Sequence, residues 1–91
     1  MSARTAREFL NSVKWSGART LNDVTLVYAD RTSETGTKII EGVDIVGMER
    51  RYFEKRDRHE DTTVRRIRLP YYKILEILVD GVVRWKRSDS H

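Results

Sequence analysis

Arginine and tyrosine side chains carry most of the binding chemistry that this sequence offers. Arg66 and Arg68 are two positions apart in a strand-like segment, so they lie on one face of it. A proline follows shortly after, and then Tyr71, Tyr72 and Lys73. Guanidinium groups bind phosphates, and tyrosine rings stack on nucleobases. The pattern predicts a surface that binds the backbone or an end of a nucleic acid, although an ordinary solvated sheet surface has the same residues.

The composition favours a surface that binds anions. The 91 residues include 18 lysines and arginines against 14 acidic residues, which leaves a net charge of +4, and thirteen of the basic residues are arginines. Arginine presents a planar fork to phosphate and stacks on rings, whereas lysine is a point charge. Arginine-rich surfaces also occur in thermophilic or GC-rich proteomes without any ligand. Composition alone leaves both interpretations open.

The sequence argues against catalysis. It has no cysteine, and its two histidines lie in a charged stretch, His59, and at the last position, His91, where nothing would hold a general base. It lacks a phosphate-binding glycine loop and a Gly-x-Ser-x-Gly motif. The polar run 57–61 is more typical of a solvated turn than of a metal site. We therefore expect no enzyme activity, no cofactor and no metal.

The length predicts a single domain over residues 1–91, with an ordered core at about 4–87 and a polar tail at 88–91. No apolar run approaches the roughly 20 residues that a membrane span needs. The N-terminus lacks the apolar segment of a signal peptide. We expect a soluble, cytoplasmic and monomeric protein.

An amphipathic helix is predicted at the N-terminus. Thr5 and Glu8 have the spacing of a capping box, in which the threonine side chain accepts a hydrogen bond from a backbone N–H of the first turn. Apolar residues follow at helical spacing, namely Ala6, Phe9, Leu10 and Val13. Gly17 is well placed to end the helix. We expect Trp15 to pack in the core under the helix end rather than to serve as a ligand platform.

Two hairpins are predicted in the middle of the chain. Alternating apolar residues make 24–29 a strand, which pairs with a second strand at 37–40 across a five-residue polar loop. The third strand begins within 41–48, after a short turn, and continues through Phe53. A fourth strand at 62–69 pairs with the third.

Further charged residues extend the candidate surface. Asp30 and Arg31 end the first strand, where the carboxylate either holds the guanidinium for a ligand or simply caps a turn. Arg50 aligns with Arg66 and Arg68 if the second hairpin has the expected register. The alternative is that these arginines form ordinary cross-strand ion pairs. The candidate partners are Glu49, Glu54 and Glu60.

The C-terminal part predicts a third hairpin. Pro70 has no N–H to donate and ends the fourth strand, and the two tyrosines after it form a short turn. Asp80-Gly81 is a strong hairpin signal because both positions favour positive φ, and this hairpin joins strands at 74–79 and 82–85. Together the elements predict an α+β fold, with one N-terminal helix packed on a curled antiparallel sheet or small barrel of about six short strands.

One weak internal similarity is present. Residues 40–45 and 69–74 each contain an apolar residue, a chain breaker, and an isoleucine five positions after the first. We infer no repeat from it.

The ordered set of motifs resembles the archaeal RNA cyclic group end recognition domain family. That family has a capped helix ending in tryptophan, matched by residues 5–15, and a strand ending in tyrosine, one residue and Asp-Arg, matched by residues 28–31. An isoleucine-proline stretch then leads into His-Arg-Ile, where this chain has Leu69-Pro70-Tyr71-Tyr72-Lys73-Ile74. A glycine turn and a tryptophan close the pattern, matched by Gly81 and Trp85. The similarity covers nearly the whole chain.

The resemblance implies recognition of RNA ends that bear a 2′,3′-cyclic phosphate. This chain departs from the family where His-Arg becomes Tyr72-Lys73. Tyrosine still stacks and donates a hydrogen bond, and lysine keeps the charge. The bidentate geometry of arginine and the acid–base character of imidazole are lost, so the histidine's role is not carried over.

The leading hypothesis is a non-catalytic RNA-binding module in RNA processing or repair. The residues expected to contact RNA are Asp30, Arg31, Arg50, Arg66, Arg68, Tyr71, Tyr72 and Lys73. The arginines would contact phosphates, with Asp30 orienting its neighbour, while one of the tyrosines would stack a terminal base and Lys73 would add charge near the end phosphate. The alternative is a protein-interaction domain that binds a partner, such as another RNA-processing protein, at a sheet edge or at the tyrosine corner. A phosphoesterase would need a histidine or metal that the sequence does not supply.

Overall fold

The protein is described here by a computed structural model that covers residues 5–16, 20–57 and 65–87. In this part of the chain it contains one α-helix, three 3₁₀ turns and seven strands. The helix is α1 (Ala6–Ser16), and the 3₁₀ turns are Leu21–Asp23, Gly42–Asp44 and Tyr71–Lys73. The strands are β1 (Val24–Ala29), β2 (Thr37–Glu41), β3 (Ile45–Met48), β4 (Tyr52–Asp57), β5 (Arg65–Pro70), β6 (Ile74–Val79) and β7 (Val82–Lys86).

Helix α1 begins as the sequence predicts. The Glu8 N–H donates to Thr5 Oγ1 at 3.1 Å, which satisfies one of the unpaired donors of the first turn. The apolar stripe buries Leu10 and Val13. The prediction for Trp15 is wrong, because its side chain is 82% exposed. Two positions beyond Val13 is a rotation of roughly 200° around the helix axis, which turns the indole away from the core.

The strands form two antiparallel sheets. Sheet A has the order β2-β1-β6-β7, and sheet B has the order β3-β4-β5. The fold is therefore α+β as predicted, but the single curled sheet or closed barrel is wrong. The chain passes from sheet A to sheet B through the second 3₁₀ turn and returns through the third. Because each turn takes the backbone out of the ladder, the described strands β2 and β3 do not pair, and neither do β5 and β6.

Three predicted hairpins are confirmed, with one change in each of the first two. Strands β1 and β2 pair across a seven-residue connection, 30–36, rather than five residues. Strands β4 and β5 pair in the expected region. The predicted third strand is in fact two, β3 and β4, since the chain turns at 49–51 and the Glu49 N–H donates to the Tyr52 carbonyl oxygen at 2.9 Å. The extra turn raises the strand number to seven.

The hairpin at Asp80-Gly81 is confirmed in detail. Asp80 has φ of 53° and Gly81 has φ of 80°, the left-handed conformation that this two-residue turn requires. Strands β6 and β7 pair on either side of it. The predicted helix end at Gly17 and the predictions for segments 58–64 and 88–91 concern residues outside the described part of the chain.

One apolar core joins the helix and the two sheets. Its middle is a row of three rings: Tyr28 meets Phe53 edge-on with centroids 6.2 Å apart, and Phe53 lies 5.6 Å from Tyr71. Tyr28 belongs to sheet A, Phe53 to sheet B and Tyr71 to the third 3₁₀ turn. The row therefore ties the sheets together. The buried residues are Ala6, Leu10, Val13, Val24, Leu26, Tyr28, Ile40, Phe53, Tyr71, Ile74, Ile77 and Val79.

The first two 3₁₀ turns pack at a glycine. A Cβ at Gly42 would overlap the carbonyl oxygen of Leu21 and would lie 2.8 Å from that of Val24. Glycine permits this close backbone approach. No α-helix within the described residues has the length and apolar character needed to cross a membrane.

Candidate nucleic-acid interface

A groove of about 1000 Å³ lies where the start of α1, the β3–β4 turn, the third 3₁₀ turn and the end of β7 meet. Five arginines line it and come from four separate segments of the chain. They are Arg7, Arg50, Arg51, Arg68 and Arg87. Glu8 is the one acidic residue among the described residues that line the groove. The groove is therefore strongly basic and suited to anionic ligands.

Aromatic rings line the same groove as these arginines. The aromatic residues that line the groove are Tyr52, Tyr71, Tyr72 and Trp85. Trp85 packs partly against the core, while Tyr72 is 71% exposed. Rings beside guanidinium groups are the arrangement that binds single-stranded nucleic acid, since bases stack on the rings and phosphates contact the cations.

Arg68 is held by two neighbours on sheet B. Its guanidinium carbon lies 5.0 Å from the centroid of the Tyr52 ring, within the range of a cation–π contact. Its Nε atom lies 3.7 Å from Glu54 Oε1. The Arg68 side chain nevertheless remains 69% exposed. The ring and the carboxylate thus orient a guanidinium whose other face is open to a ligand.

Arg87 connects the end of β7 to the Tyr71-Tyr72 pair. Its Nη1 donates to the carbonyl oxygen of Tyr72 at 3.1 Å, and its backbone N–H donates to the carbonyl oxygen of Leu75 at 2.8 Å. The first bond holds the C-terminal wall of the groove against the third 3₁₀ turn, and the second holds it against β6.

The two adjacent tyrosines have different roles. Tyr71 is only 7% exposed, and its hydroxyl donates to the carbonyl oxygen of Glu49 at 2.7 Å. Burial raises the pKa of Tyr71, an effect that Arg7 opposes and Glu49 reinforces. Tyr71 therefore anchors the β3–β4 turn, and Tyr72 presents the exposed ring of the pair.

Asp30 caps a turn and does not hold Arg31. Its Oδ1 accepts from the Thr32 hydroxyl at 2.7 Å and from the Thr32 N–H at 3.0 Å. These bonds are the main reason that the pKa of Asp30 is lowered. Desolvation opposes them, and Lys38 and Lys73 lower the pKa further. Of the two alternatives that the sequence left open, the turn cap is the one present in the structure.

The structure brings together only part of the predicted set. Four of its members line the groove, namely Arg50, Arg68, Tyr71 and Tyr72. Four do not line it, namely Asp30, Arg31, Arg66 and Lys73. Arg50 lies in the β3–β4 turn rather than on a strand beside Arg66 and Arg68. The predicted cross-strand ion pairing is present at Glu54, which also lies 3.9 Å from Arg66 Nη1.

Sequence reasoning did not select several groove residues. They are Arg7, Glu8, Arg51, Tyr52, Trp85 and Arg87. Local sequence carries no signal for them, since they lie on elements far apart in the chain. One indication was available: the β4–β5 hairpin places Tyr52 opposite Pro70, at the strand end where the tyrosine pair begins.

Tyr28 has a hydroxyl in an unusual environment. The residue is 3% exposed, and its hydroxyl oxygen is buried without a hydrogen-bond partner among the described residues. Desolvation, followed by the charges of Tyr72 and Asp30, raises the pKa of Tyr28 to about 12. Lys38 Nζ lies 5.5 Å from the ring centroid.

The described residues contain no group of three His, Asp or Glu side chains able to hold a metal ion.

Known proteins are similar to this chain over nearly its whole length. The family model described as the MJ1316 RNA cyclic group end recognition domain matches residues 3–87. A UPF0248 protein of Saccharolobus solfataricus is 29% identical over 85 residues, which is 91% of this chain and 96% of that protein. No solved structure has a significant match.

Proposed function

The chain belongs to the MJ1316 RNA cyclic group end recognition domain family, and from this membership we propose that it is a non-catalytic module that binds RNA ends carrying a 2′,3′-cyclic phosphate, in RNA processing or repair. The observation that carries the proposal is the groove, which is lined by five arginines together with an exposed Tyr72 and a half-buried Trp85. Its volume is at the upper end of the range for small-ligand pockets, which is large enough for a terminal nucleotide.

The chemistry of the groove suits a phosphate next to a base. Arg50 and Arg51 extend from an exposed turn, and Arg7 faces them from the helix start. Guanidinium groups bind phosphate oxygens through paired N–H donors. Tyr72 offers a ring on which the last base can stack, an interaction worth ~1–3 kcal/mol per base.

The departure from the family pattern supports binding without catalysis. Tyr72 occupies the position where the family pattern has histidine, so this position lacks the imidazole that serves as an acid or base near neutral pH. Lys73 occupies the position of the arginine and lies near Asp30 rather than in the groove. The two substitutions keep stacking and charge, which a recognition module needs.

The proposal is tested through the fluorescence of Trp85. The variant Trp15→Phe leaves Trp85 as the remaining tryptophan, so that its emission reports on the groove. Short RNAs that differ only in their 3′ end, with a 2′,3′-cyclic phosphate, a 3′-phosphate or a hydroxyl, are titrated at two salt concentrations. We expect saturable quenching, strongest for the cyclic end.

Two arginine substitutions give the matched comparison. In the Trp15→Phe background, Arg51→Ala should weaken binding and reduce the slope of log K against log salt by roughly 0.7, the value for one phosphate contact on a single strand. Arg84→Ala removes the same charge from an exposed position of β7 that does not line the groove, and it should leave the slope unchanged. Absence of saturable quenching with every RNA at low salt would overturn the proposal.

A protein-interaction domain is the second candidate, and exposed apolar residues at the edges of sheet A favour it. Ile39 lies on the edge strand β2, and Val82 and Val83 lie on the edge strand β7. An edge strand offers unpaired backbone groups to which a partner segment can add. Binding of this kind would depend weakly on salt and would not respond to RNA, so the same salt series separates the two candidates.

A further inference from the structure

The outer face of sheet B carries a row of cations that begins at the groove. Tyr52, Glu54 and Arg56 alternate along β4 on the side opposite the buried Phe53. Their partners on β5 are Pro70, Arg68 and Arg66 respectively. The face therefore presents Arg68 nearer the groove and, farther from it, the facing pair Arg66 and Arg56. We call these three residues the arginine row.

Among the described residues, the arginine row is poorly neutralised by its own sheet. Glu54 is the carboxylate shared by Arg66, at 3.9 Å, and Arg68, at 3.7 Å. Arg56 and Arg66 stand directly opposite each other across the hairpin, an arrangement of like charges that destabilises a sheet. Both residues are exposed. A bound anion between the two guanidinium groups would relieve their repulsion.

The arginine row is continuous with the groove. Arg68 and Tyr52 line the groove and also belong to the outer face of sheet B. Arg66 follows Arg68 after two residues, which is about 6.6 Å along a strand. This repeat is close to the separation of successive phosphates in an extended single strand of RNA.

We propose that the arginine row binds the backbone of the RNA upstream of the bound end, with one phosphate held between Arg56 and Arg66. The substrate class is then single-stranded RNA longer than the terminal nucleotide, with its end in the groove and its chain following β5 away from Pro70. The inference rests on the proposed function, because the groove defines where the row begins. A single row of cations can follow the backbone of one RNA strand. A duplex would have to bring both of its RNA strands to the groove together.

The test compares RNA lengths. Two fluorescein-labelled oligouridylates, a dinucleotide and an octanucleotide with the same 2′,3′-cyclic phosphate end, are titrated with the protein in anisotropy experiments at several salt concentrations. We expect the octanucleotide to bind roughly ten-fold more tightly at low salt, with a salt slope steeper by roughly 0.7 for each added phosphate contact.

The variant Arg56→Gln/Arg66→Gln should remove this length dependence and leave dinucleotide binding unchanged. Gln keeps much of the side chain, and both sites are exposed, so the fold should be retained. A control in which Arg84→Gln is combined with Lys14→Gln removes two charges from exposed sites elsewhere and should keep the length dependence. Equal affinities for the two lengths in the unmodified protein, or a length dependence that survives the Arg56/Arg66 variant, would overturn the arginine row while the proposed function stands. Failure of both RNAs to bind at low salt would overturn the proposed function itself.

Discussion

Replacing Tyr28 by phenylalanine should stabilise the protein, even though it removes a polar group from the centre of the fold. The Tyr28 hydroxyl is buried and has no hydrogen-bond partner among the described residues. A buried polar group in this state costs about 1–3 kcal/mol. Phenylalanine keeps the ring and its edge-on contact with Phe53, so Tyr28→Phe removes the penalty without creating a cavity.

The magnitude can be stated as a shift of the unfolding temperature. For a domain of 60–100 residues, each kcal/mol changes Tm by roughly 4–8 °C. Even the lower end of the penalty therefore gives a shift that thermal unfolding followed by circular dichroism resolves. The matched control is Tyr71→Phe, which removes a hydroxyl that donates to Glu49 at 2.7 Å. We expect this control to lose about 0.5–1.5 kcal/mol, the net value of one hydrogen bond.

The pH dependence gives an independent check on the same hydroxyl. The pKa of Tyr28 rises from 10.0 to about 12 on folding, so the folded state holds a proton that the unfolded chain releases first. The part of the unfolding free energy that depends on this proton is fully present below pH 10 and is lost as the pH rises towards 12. The shift corresponds to at most roughly 2–3 kcal/mol before solvent screening, and Tyr28→Phe should remove this alkaline loss. If Tyr28→Phe destabilises the protein as much as Tyr71→Phe does, the Tyr28 hydroxyl has a hydrogen-bond partner in solution and carries no penalty.

Two further predictions concern the 3₁₀ turn at Gly42 and the first hairpin loop. Gly42→Ala places a Cβ against the carbonyl oxygen of Leu21 and should cost about 3 kcal/mol, whereas Gly47→Ala, whose Cβ would lie 3.9 Å from its nearest neighbour, should be tolerated; chemical denaturation of both variants decides this. Thr32→Ala removes the hydroxyl that donates to Asp30 Oδ1 at 2.7 Å, which is the largest cause of the lowered pKa of Asp30, and keeps the backbone N–H bond. NMR titration of that carboxyl should therefore give a higher pKa in the variant. In the unmodified protein these bonds stabilise the loop above the ordinary pKa of aspartate and are lost as the pH falls through the lowered value; an unchanged pKa in Thr32→Ala would contradict the assignment.

Local signals in the sequence predicted the elements with local causes. The Thr5 cap, the apolar stripe of α1 and the Asp80-Gly81 turn each depend on residues within a few positions of one another. The capping hydroxyl and the left-handed turn conformation follow from the chemistry of single residues. The kinds of side chain that could bind RNA were visible in the same way.

Some errors arose where a local pattern has two outcomes. The segment 45–53 contains enough apolar residues for one long strand, and only the hydrogen bond from Glu49 to Tyr52 shows that the chain turns within it. The residue type of Trp15 favours the core, but its angular position on α1 turns it to solvent.

The change of sheet required the tertiary structure. Residues 40–45 and 69–74 share a spacing that could not be interpreted from the sequence, and in the structure each contains a 3₁₀ turn that leads from one sheet into the other. The two crossings explain why the strands form two sheets rather than a barrel. The spacing between the chain breaker and the isoleucine does not predict the partner of the strand that follows. Strand pairing depends on the packing of apolar faces that are distant in the sequence.

The composition of the candidate site was thus a property of the sequence, and its location was a property of the fold. The sequence by itself determined a basic, arginine-rich chain with a tyrosine pair after its one proline. Only the tertiary structure decided that Tyr71 is buried while Tyr72 is open, and that Arg7, Arg51 and Arg87 meet in one groove. Residue types fix which contacts a side chain can make, but proximity between segments 80 residues apart in the sequence, at Arg7 and Arg87, arises when the helix and the two sheets pack on a shared core.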